Sequence, residues 1–244
     1  MISNDLENIN ALPEILFRNA KNFPKKKFLF KKKKEGWTGK NYGEISKNVL
    51  RLAQSFVERG IKKNDRVLLI SSNRIEWVEI DLAIMTIGAI TVPSFVTNNA
   101  EDNIYIIKNC DPKLVIFENY KTLIKNKKIL KFFPKKKIIL IDDYDEFESY
   151  KKLLNTNRLL KKVPKLKRSD VSTIIYTSGT SDNPKGVILT HDSIIHNLEA
   201  ALEIFNDLKI SNERFISFLP LSHSYERVAG MFFPILINAE IFFC

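Results

Sequence analysis

Few of the residues that build disulfides and metal sites occur in this sequence. Its 244 residues include two cysteines, Cys110 and Cys244, and three histidines. The cysteines form no Cys-x-x-Cys pair and have no histidine cluster near them, which argues against a disulfide framework and a zinc site. We therefore expect a protein of the reducing cytoplasm without a metal site of its own.

Long apolar segments are also lacking. The longest cover residues 82–92 and 228–237, whereas a membrane-spanning helix needs about 20 apolar residues. The first twenty residues contain Asp5, Glu7 and Glu14 and no apolar block, so no signal peptide is visible. Since 44% of the residues are hydrophobic, a sizeable core can still be buried. We expect a soluble, cytoplasmic protein, which leaves peripheral contact with the inner face of a membrane open.

Acidic residues are in deficit. The chain has 39 lysines and arginines against 28 aspartates and glutamates, a net charge of +11. Such an excess occurs in proteins that bind nucleic acids or anionic membranes. Most of the basic residues are lysine, however, and surfaces that recognise phosphates favour arginine. We therefore predict no nucleic-acid partner and interpret the charge as a compositional bias.

Short apolar runs alternate with helical patterns through the middle of the chain. We predict strands over residues 67–71, 89–92, 114–117 and 138–141, and helices over residues 74–87, 100–110 and 121–131. Continuous apolar runs are typical of strands that are covered on both faces. The pattern predicts an α/β fold with largely parallel sheets and packed helices.

Two further segments are predicted to lie at the surface. Residues 25–34 are rich in lysine and precede Trp37, which indicates a short hairpin with solvated charges. Residues 142–168 are charged and mixed, and we expect a helix followed by an exposed approach to the next strand.

A polar loop occupies residues 178–186, between predicted strands at residues 173–177 and 187–189. It contains glycines, small hydroxyl residues and one lysine, which together can supply donors and positive charge to a polyphosphate. No Gly-Lys-Ser/Thr ends the loop, so it is not a Walker A sequence. Thr190 is predicted to cap a following helix that runs to Phe205. Composition alone leaves an ordinary polar hairpin loop as the alternative.

The run Tyr-Thr-Ser-Gly-Thr-Ser-Asp-Asn-Pro-Lys-Gly at residues 176–186 resembles the phosphate-binding signature of the adenylate-forming superfamily. That superfamily includes acyl-CoA synthetases, peptide-synthetase adenylation domains and luciferases. Residues 187–191 and Asn197 match it too, as do earlier segments in the same order at residues 41–44, 72–77 and 88–93. The sequence Leu-Pro-Leu-Ser-His-Ser-Tyr-Glu-Arg at residues 219–227 resembles the variant found in long-chain fatty acid–CoA ligases.

The resemblance extends from about Leu12 to the end of the chain. It implies the N-terminal part of the adenylate-forming fold, with a first α/β subdomain at residues 1–168. Residues 169–244 would begin a second subdomain, which carries the phosphate-binding loop.

The function implied by this resemblance is ATP-dependent activation of a long-chain fatty acid to acyl-AMP and then to acyl-CoA. Fatty acid, ATP and CoA would be the substrates, and Mg²⁺ would be bound by later elements of the family. Two residues would be catalytic: Lys185 as the cation for the phosphates, and His223 beside the acyl carboxylate. The residues implied to bind the nucleotide phosphates are Thr177, Ser178, Gly179, Thr180, Ser181, Lys185 and Gly186.

Other residues of these motifs have structural interpretations. His223 has the alternative role of capping a helix predicted over residues 225–237. We expect structural roles for His191 and Tyr176, whereas Glu226 and Arg227 either pair with each other or support the site. Asp182 departs from the family, which usually has glycine there. Its carboxylate would cost about 1–4 kcal/mol within about 4 Å of a phosphate, so Asp182→Gly is expected to tighten ATP binding in a complete enzyme.

The later elements of the family are not found in this sequence. The chain stops at Cys244 directly after an apolar run, which favours truncation inside a domain, and we expect this chain alone to be inactive. The first alternative is a catalytically inactive protein that binds a nucleotide or a partner ligase. The second is a basic protein that binds nucleic acid or a membrane surface. Acyl chain length and oligomeric state remain open.

Overall fold

The computed structural model describes residues 6–156, 158–177, 183–207 and 213–244. The strands are β1 (Lys27–Lys33), β2 (Gly36–Asn41), β3 (Arg66–Ile70), β4 (Ile90–Ser94), β5 (Leu114–Phe117), β6 (Ile138–Leu140), β7 (Glu148–Ser149), β8 (Val171–Thr177), β9 (Lys185–Thr190), β10 (Arg214–Ser217) and β11 (Glu240–Phe243). The α-helices are α1 (Pro13–Asn22), α2 (Tyr42–Glu58), α3 (Ile75–Thr86), α4 (Ala100–Cys110), α5 (Tyr120–Lys125), α6 (Tyr150–Leu154), α7 (His191–Asp207) and α8 (Phe233–Leu236). Short 3₁₀ turns cover Lys127–Lys131 and Lys135–Lys137, and a π-helical turn covers Glu226–Phe232.

The larger sheet has seven strands in the order β7-β6-β5-β3-β4-β8-β9. Every neighbouring pair is parallel except β8 and β9, which form an antiparallel hairpin. The predicted α/β fold with a largely parallel sheet is therefore confirmed. Because the strands β3, β4 and β8 are parallel, their carboxyl ends meet at one edge, which we call the carboxyl edge.

The strands of this sheet are covered on both faces, as their continuous apolar runs predict. In β3, Val67 and Leu69 join one buried cluster, whereas Leu68 and Ile70 join a second cluster on the opposite face. Successive side chains of a strand point to opposite faces, so both must be apolar when both faces are packed.

The smaller sheet has four strands in the order β10-β11-β1-β2. The predicted hairpin is confirmed in β1 and β2, although β1 also pairs in parallel with β11, with Leu29 opposite Ile241. The rings of Phe30 and Phe242 stack with their centroids 4.5 Å apart across this pairing. Each sheet contains strands that precede residue 168 in the sequence and strands that follow it, so the predicted subdomain boundary does not separate the two sheets.

Helix α3 packs against β4 of the larger sheet and β1 of the smaller one, and its residues are buried almost throughout. Two of its acidic residues, Glu79 and Asp81, are fully buried. Glu79 accepts hydrogen bonds from Lys40 (3.1 Å), Asn48 (2.8 Å) and the hydroxyl of Tyr150. Glu79 therefore meets hydrogen-bond donors inside the protein, because sheets and helices surround α3 on all sides.

Two predicted helices differ from their sequence patterns, one in its length and one in its regularity. The helix predicted over residues 121–131 ends at Lys125, since the buried Asn126 turns its amide to Thr122 O (2.9 Å) and to Asn103 (2.9 Å). The helix predicted over residues 225–237 begins as the π-helical turn and continues as α8. Pro234 lies at its junction, where a residue without a backbone N–H interrupts the hydrogen-bond pattern.

Candidate active site

The residues of β8 and β9 that flank the predicted phosphate loop lie at the carboxyl edge. Thr177, the last residue of β8, is the cross-strand partner of Lys185, the first residue of β9. The two predicted binding residues that flank the loop thus lie side by side, and both are exposed. Ser178, Gly179, Thr180, Ser181 and Asp182 lie outside the described residues.

Gly186 has a packing reason to be glycine. A Cβ atom there would lie 3.0 Å from Cγ2 of Ile174 and 3.2 Å from the ring of Tyr176. Tyr176 itself is buried against the core of the larger sheet, and its hydroxyl donates to Asn109 Oδ1. Tyr176 is thus a packing residue, as predicted, and it supports the strand that leads into the loop.

The segment of residues 219–227 is attached to the same edge. Asn73, just beyond the carboxyl end of β3, donates from Nδ2 to Leu219 O (2.6 Å) and to Ser217 Oγ (2.9 Å). Its Oδ1 accepts from the backbone N–H of Leu221 (2.8 Å). Ser222 Oγ donates to the carbonyl of Ser94, the last residue of β4 (3.1 Å). These bonds bring the segment to the edge where Thr177 and Lys185 lie.

His223 lies in this attached segment with its side chain exposed. Its Nδ1 accepts a hydrogen bond from the backbone N–H of Tyr225 (3.2 Å), and its carbonyl accepts from Arg227 N (3.1 Å). His223 thus contacts the start of the turn that follows it. When Nδ1 accepts, the proton of a neutral imidazole is on Nε2, which leaves Nε2 as a donor to solvent or ligand.

Glu226 and Arg227 are not partners of each other. Arg227 is buried, pairs with the carboxylate of Asp81, and donates from Nη1 to Thr173 Oγ1 (2.5 Å). Glu226 is also buried and accepts from Ser217 Oγ (2.8 Å). Burial raises the pKa of Glu226, and the hydrogen bond from Ser217 opposes that shift. Arg227 thus joins the π-helical turn to α3 and β8 beneath the site.

His191 has the structural position expected of it. It is buried, and its Nδ1 accepts from the backbone N–H of Leu12 (3.3 Å). Burial lowers the pKa of His191 to about 4, with the positive charges of Arg227 and Lys63 acting in the same direction and Asp170 opposing. The imidazole is therefore neutral at pH 7.

An apolar groove of about 740 Å³ lies between α7 and the π-helical turn. The α7 side presents Ile194, Ala201 and Ile204, and the opposite side presents Val228 and Phe233. Neither these groove residues nor the role of Asn73 was predicted from the sequence. One signal was available: Ile204 of α7 is 68% exposed and lies outside the stripe that packs on the core, which makes the apolar face of α7 wider than one contact requires.

The described parts of the chain include no group of three or more His, Cys, Asp or Glu side chains placed to hold a metal ion. Within the same residues, no helix has the length and apolar character required to cross a bilayer.

The α/β fold agrees with the resemblance to the adenylate-forming superfamily, and comparison with known proteins shows the family of this chain. The sequence profile of the family described as AMP-binding enzyme matches residues 16–244. The chain belongs to this family.

Individual relatives are similar over part of their length. The long-chain-fatty-acid–CoA ligase FadD15 of Mycobacterium tuberculosis is 27% identical over 201 residues, which cover 80% of this chain and 34% of the relative. The long-chain-fatty-acid–CoA ligase ACSBG2 of Mus musculus is 28% identical over 251 residues, covering 96% and 37%. The chain therefore spans about a third of the length of these curated relatives.

A solved structure shows the same fold. The fatty acyl-adenylate ligase from L. pneumophila, in complex with acyl adenylate and pyrophosphate, superposes with a TM-score of 0.73 and 22% identity. The superposition covers 97% of this chain and 40% of that chain.

Proposed function

We propose that this chain supplies the phosphate loop and the acyl groove of a longer long-chain fatty acid–CoA ligase. The observation that carries the proposal is the position of the groove on α7, the helix that follows directly from the β8–β9 hairpin. Leu189, which lines the groove, is four residues from Lys185 on one strand, a separation of about 13 Å. A proposed phosphate loop and an apolar groove on one continuous part of the chain fit a substrate with a carboxylate head and a hydrocarbon tail.

In the proposed reaction, a carboxylate oxygen of the fatty acid attacks the α-phosphorus of ATP, and pyrophosphate leaves. The thiol of CoA then attacks the acyl carbonyl, and AMP leaves. The first step brings two anions together, so their charge must be neutralised and their approach aligned. Lys185 and the donors of residues 177–181 would hold the β- and γ-phosphates.

His223 would act on the acyl carboxylate. Its Nδ1 is occupied by the N–H of Tyr225, so Nε2 is the atom left to donate to a carboxylate oxygen. Mg²⁺ would neutralise phosphate charge when bound with ATP, and we assign it no ligand in this chain. The names of the relatives support the acyl substrate, and the ligands of the L. pneumophila enzyme support the acyl-adenylate intermediate.

Ligand binding by the 244-residue chain tests this assignment. Ala201→Trp would fill the groove and is expected to weaken binding of a fluorescent long-chain fatty acid at least about tenfold, with ATP binding unchanged. Glu203→Trp adds the same ring on an exposed position of α7 that does not line the groove, and it should leave fatty acid binding intact. Equal binding by the parent and Ala201→Trp would contradict the acyl groove.

The phosphate loop needs a separate test. Lys185→Gln should weaken binding of ATP roughly tenfold, the value of a lost charged hydrogen bond. Lys47→Gln, an exposed lysine of α2, makes the same charge change elsewhere. If both variants bind ATP as the parent does, Lys185 is not a phosphate ligand.

A further inference from the structure

Residues 121–137, which we call the lysine-rich segment, contain eight lysines and no acidic residue. The segment comprises most of α5 and both 3₁₀ turns, and it ends where β6 begins. All eight lysine side chains are exposed: Lys121, Lys125, Lys127, Lys128, Lys131, Lys135, Lys136 and Lys137. Charge of one sign is therefore concentrated on one stretch of surface.

The lysine-rich segment is firmly attached to the protein. Leu123, Ile129 and Phe133 are buried in the core cluster on one face of the larger sheet. The segment also runs along α4. Lys128 contacts Glu101 near the start of that helix, and the ring of Phe132 lies 5.9 Å from Lys108 Nζ near its end. The outward-facing side chains of the segment therefore project from a backbone that is anchored in the core.

Three apolar side chains alternate with the buried ones and face outward. Ile124 is 40% exposed, Leu130 39% and Phe132 45%. Residues 123 and 124, 129 and 130, and 132 and 133 thus form neighbouring pairs in which one side chain enters the core and the other meets solvent. Apolar side chains among lysines are typical of surfaces that enter the headgroup region of a bilayer.

Most of the positive charge in the segment is not neutralised within the protein. Lys128 pairs with Glu101, and Lys135 pairs with Glu146 at 2.8 Å. The other six lysines form no ion pair within 4 Å with any residue in the described ranges. Charge complementarity therefore favours an extended anionic partner.

We propose that the lysine-rich segment docks this protein on the surface of an anionic lipid bilayer. The lysines contact lipid headgroups, and Ile124, Leu130 and Phe132 enter the boundary of the acyl chains. A nucleic acid fits less well, because the segment contains no arginine. Its exposed apolar side chains would also find no apolar surface to contact on a hydrated phosphate backbone. This docking is independent of the proposed acyl activation.

Co-sedimentation of the 244-residue chain with vesicles tests the proposal. We expect binding to vesicles of phosphatidylcholine with phosphatidylserine, weak binding to phosphatidylcholine alone, and a decline with added salt. The charge variant combines Lys127→Gln, Lys131→Gln and Lys136→Gln, and should lose roughly fivefold in partitioning for each lysine. The matched control combines Lys32→Gln, Lys33→Gln and Lys34→Gln, three exposed lysines on and just after β1, and should bind nearly as the parent does.

The apolar contribution is tested by Phe132→Ser, which leaves every charge in place. It should lower partitioning on the order of tenfold, whereas Val57→Ser, an equally exposed apolar residue on α2, should not. Equal losses in the two lysine triples would overturn the assignment of this surface. Tight binding to a DNA duplex that depends on the same lysines but not on Phe132 would assign the segment to nucleic acid instead.

Discussion

Arg227 and Asp81 form an ion pair inside the protein, and both side chains are almost completely inaccessible to water. The pair joins the π-helical turn to α3, and the guanidinium also reaches Thr173 on β8 and lies over the ring of Trp77, 5.6 Å from its centroid. The π-helical turn, α3 and β8, which support the candidate site, are thus connected through the side chain of Arg227. A buried charge pair is stabilising only as a pair, because each ion alone would keep its desolvation cost.

Arg227→Met should therefore destabilise the protein by about 3–5 kcal/mol, because Asp81 would remain buried without its partner. Adding Asp81→Leu should restore most of the loss, since two apolar side chains then replace the pair. Urea denaturation followed by circular dichroism measures both free energies of unfolding. A double variant as unstable as Arg227→Met would show that the ion pair is not the cause.

The buried His191 predicts a dependence of stability on pH. Its pKa is about 4 in the folded protein and about 6.5 when unfolded, so between these values only the unfolded chain binds the proton. The contribution of the neutral His191 to the free energy of unfolding is fully present above about pH 6.5. It is lost as the pH falls towards 4, by about 3 kcal/mol at most. The stability difference between the parent and His191→Gln should shrink over that interval. A stability difference that stays constant between pH 4 and 6.5 would contradict this effect of burial.

Asn73 should protect a specific backbone amide. The N–H of Leu221 donates to Asn73 Oδ1, so Asn73→Ala should speed hydrogen exchange at that amide relative to the parent. Asn73→Asp keeps the acceptor but loses the bonds to Leu219 O and Ser217 Oγ, and it should retain more of the protection at Leu221. Exchange measured by NMR distinguishes the variants, and unchanged exchange in Asn73→Ala would refute the anchoring role of Asn73.

Gly39 on β2 lies opposite Phe30 of β1 and leaves room for its ring. A Cβ atom at Gly39 would lie 2.5 Å from Cε1 of Phe30, which is stacked on Phe242. Gly39→Ala should therefore cost about 1–3 kcal/mol through overpacking. In a Phe30→Leu background the same substitution should cost much less, because the smaller side chain can move away. A full cost in that background would place the strain elsewhere.

Much of the architecture follows from the local pattern of the sequence. The apolar runs of β3, β5 and β6 required burial on both faces, and their alternation with helices indicated a parallel sheet. The hairpin of β8 and β9 and the helix after it were equally predictable, since small polar residues separate two β-like runs and Thr190 caps α7, accepting from the N–H of Ser193 at 3.1 Å. Periodicity and capping are local properties, which is why sequence alone determined them.

Contacts between distant parts of the chain were decided only by the tertiary structure. Arg227 could have paired with the adjacent Glu226, yet it pairs with Asp81, 146 residues away in sequence. The sequence around Asn73 does not indicate that its side chain contacts Leu221. The residues that line the groove likewise come from separate elements, α7 and the π-helical turn among them. The physical reason is that such partners depend on which surfaces meet when both sheets close around α3. Local sequence determined the elements, and the packing of the two sheets determined which side chains meet at the site.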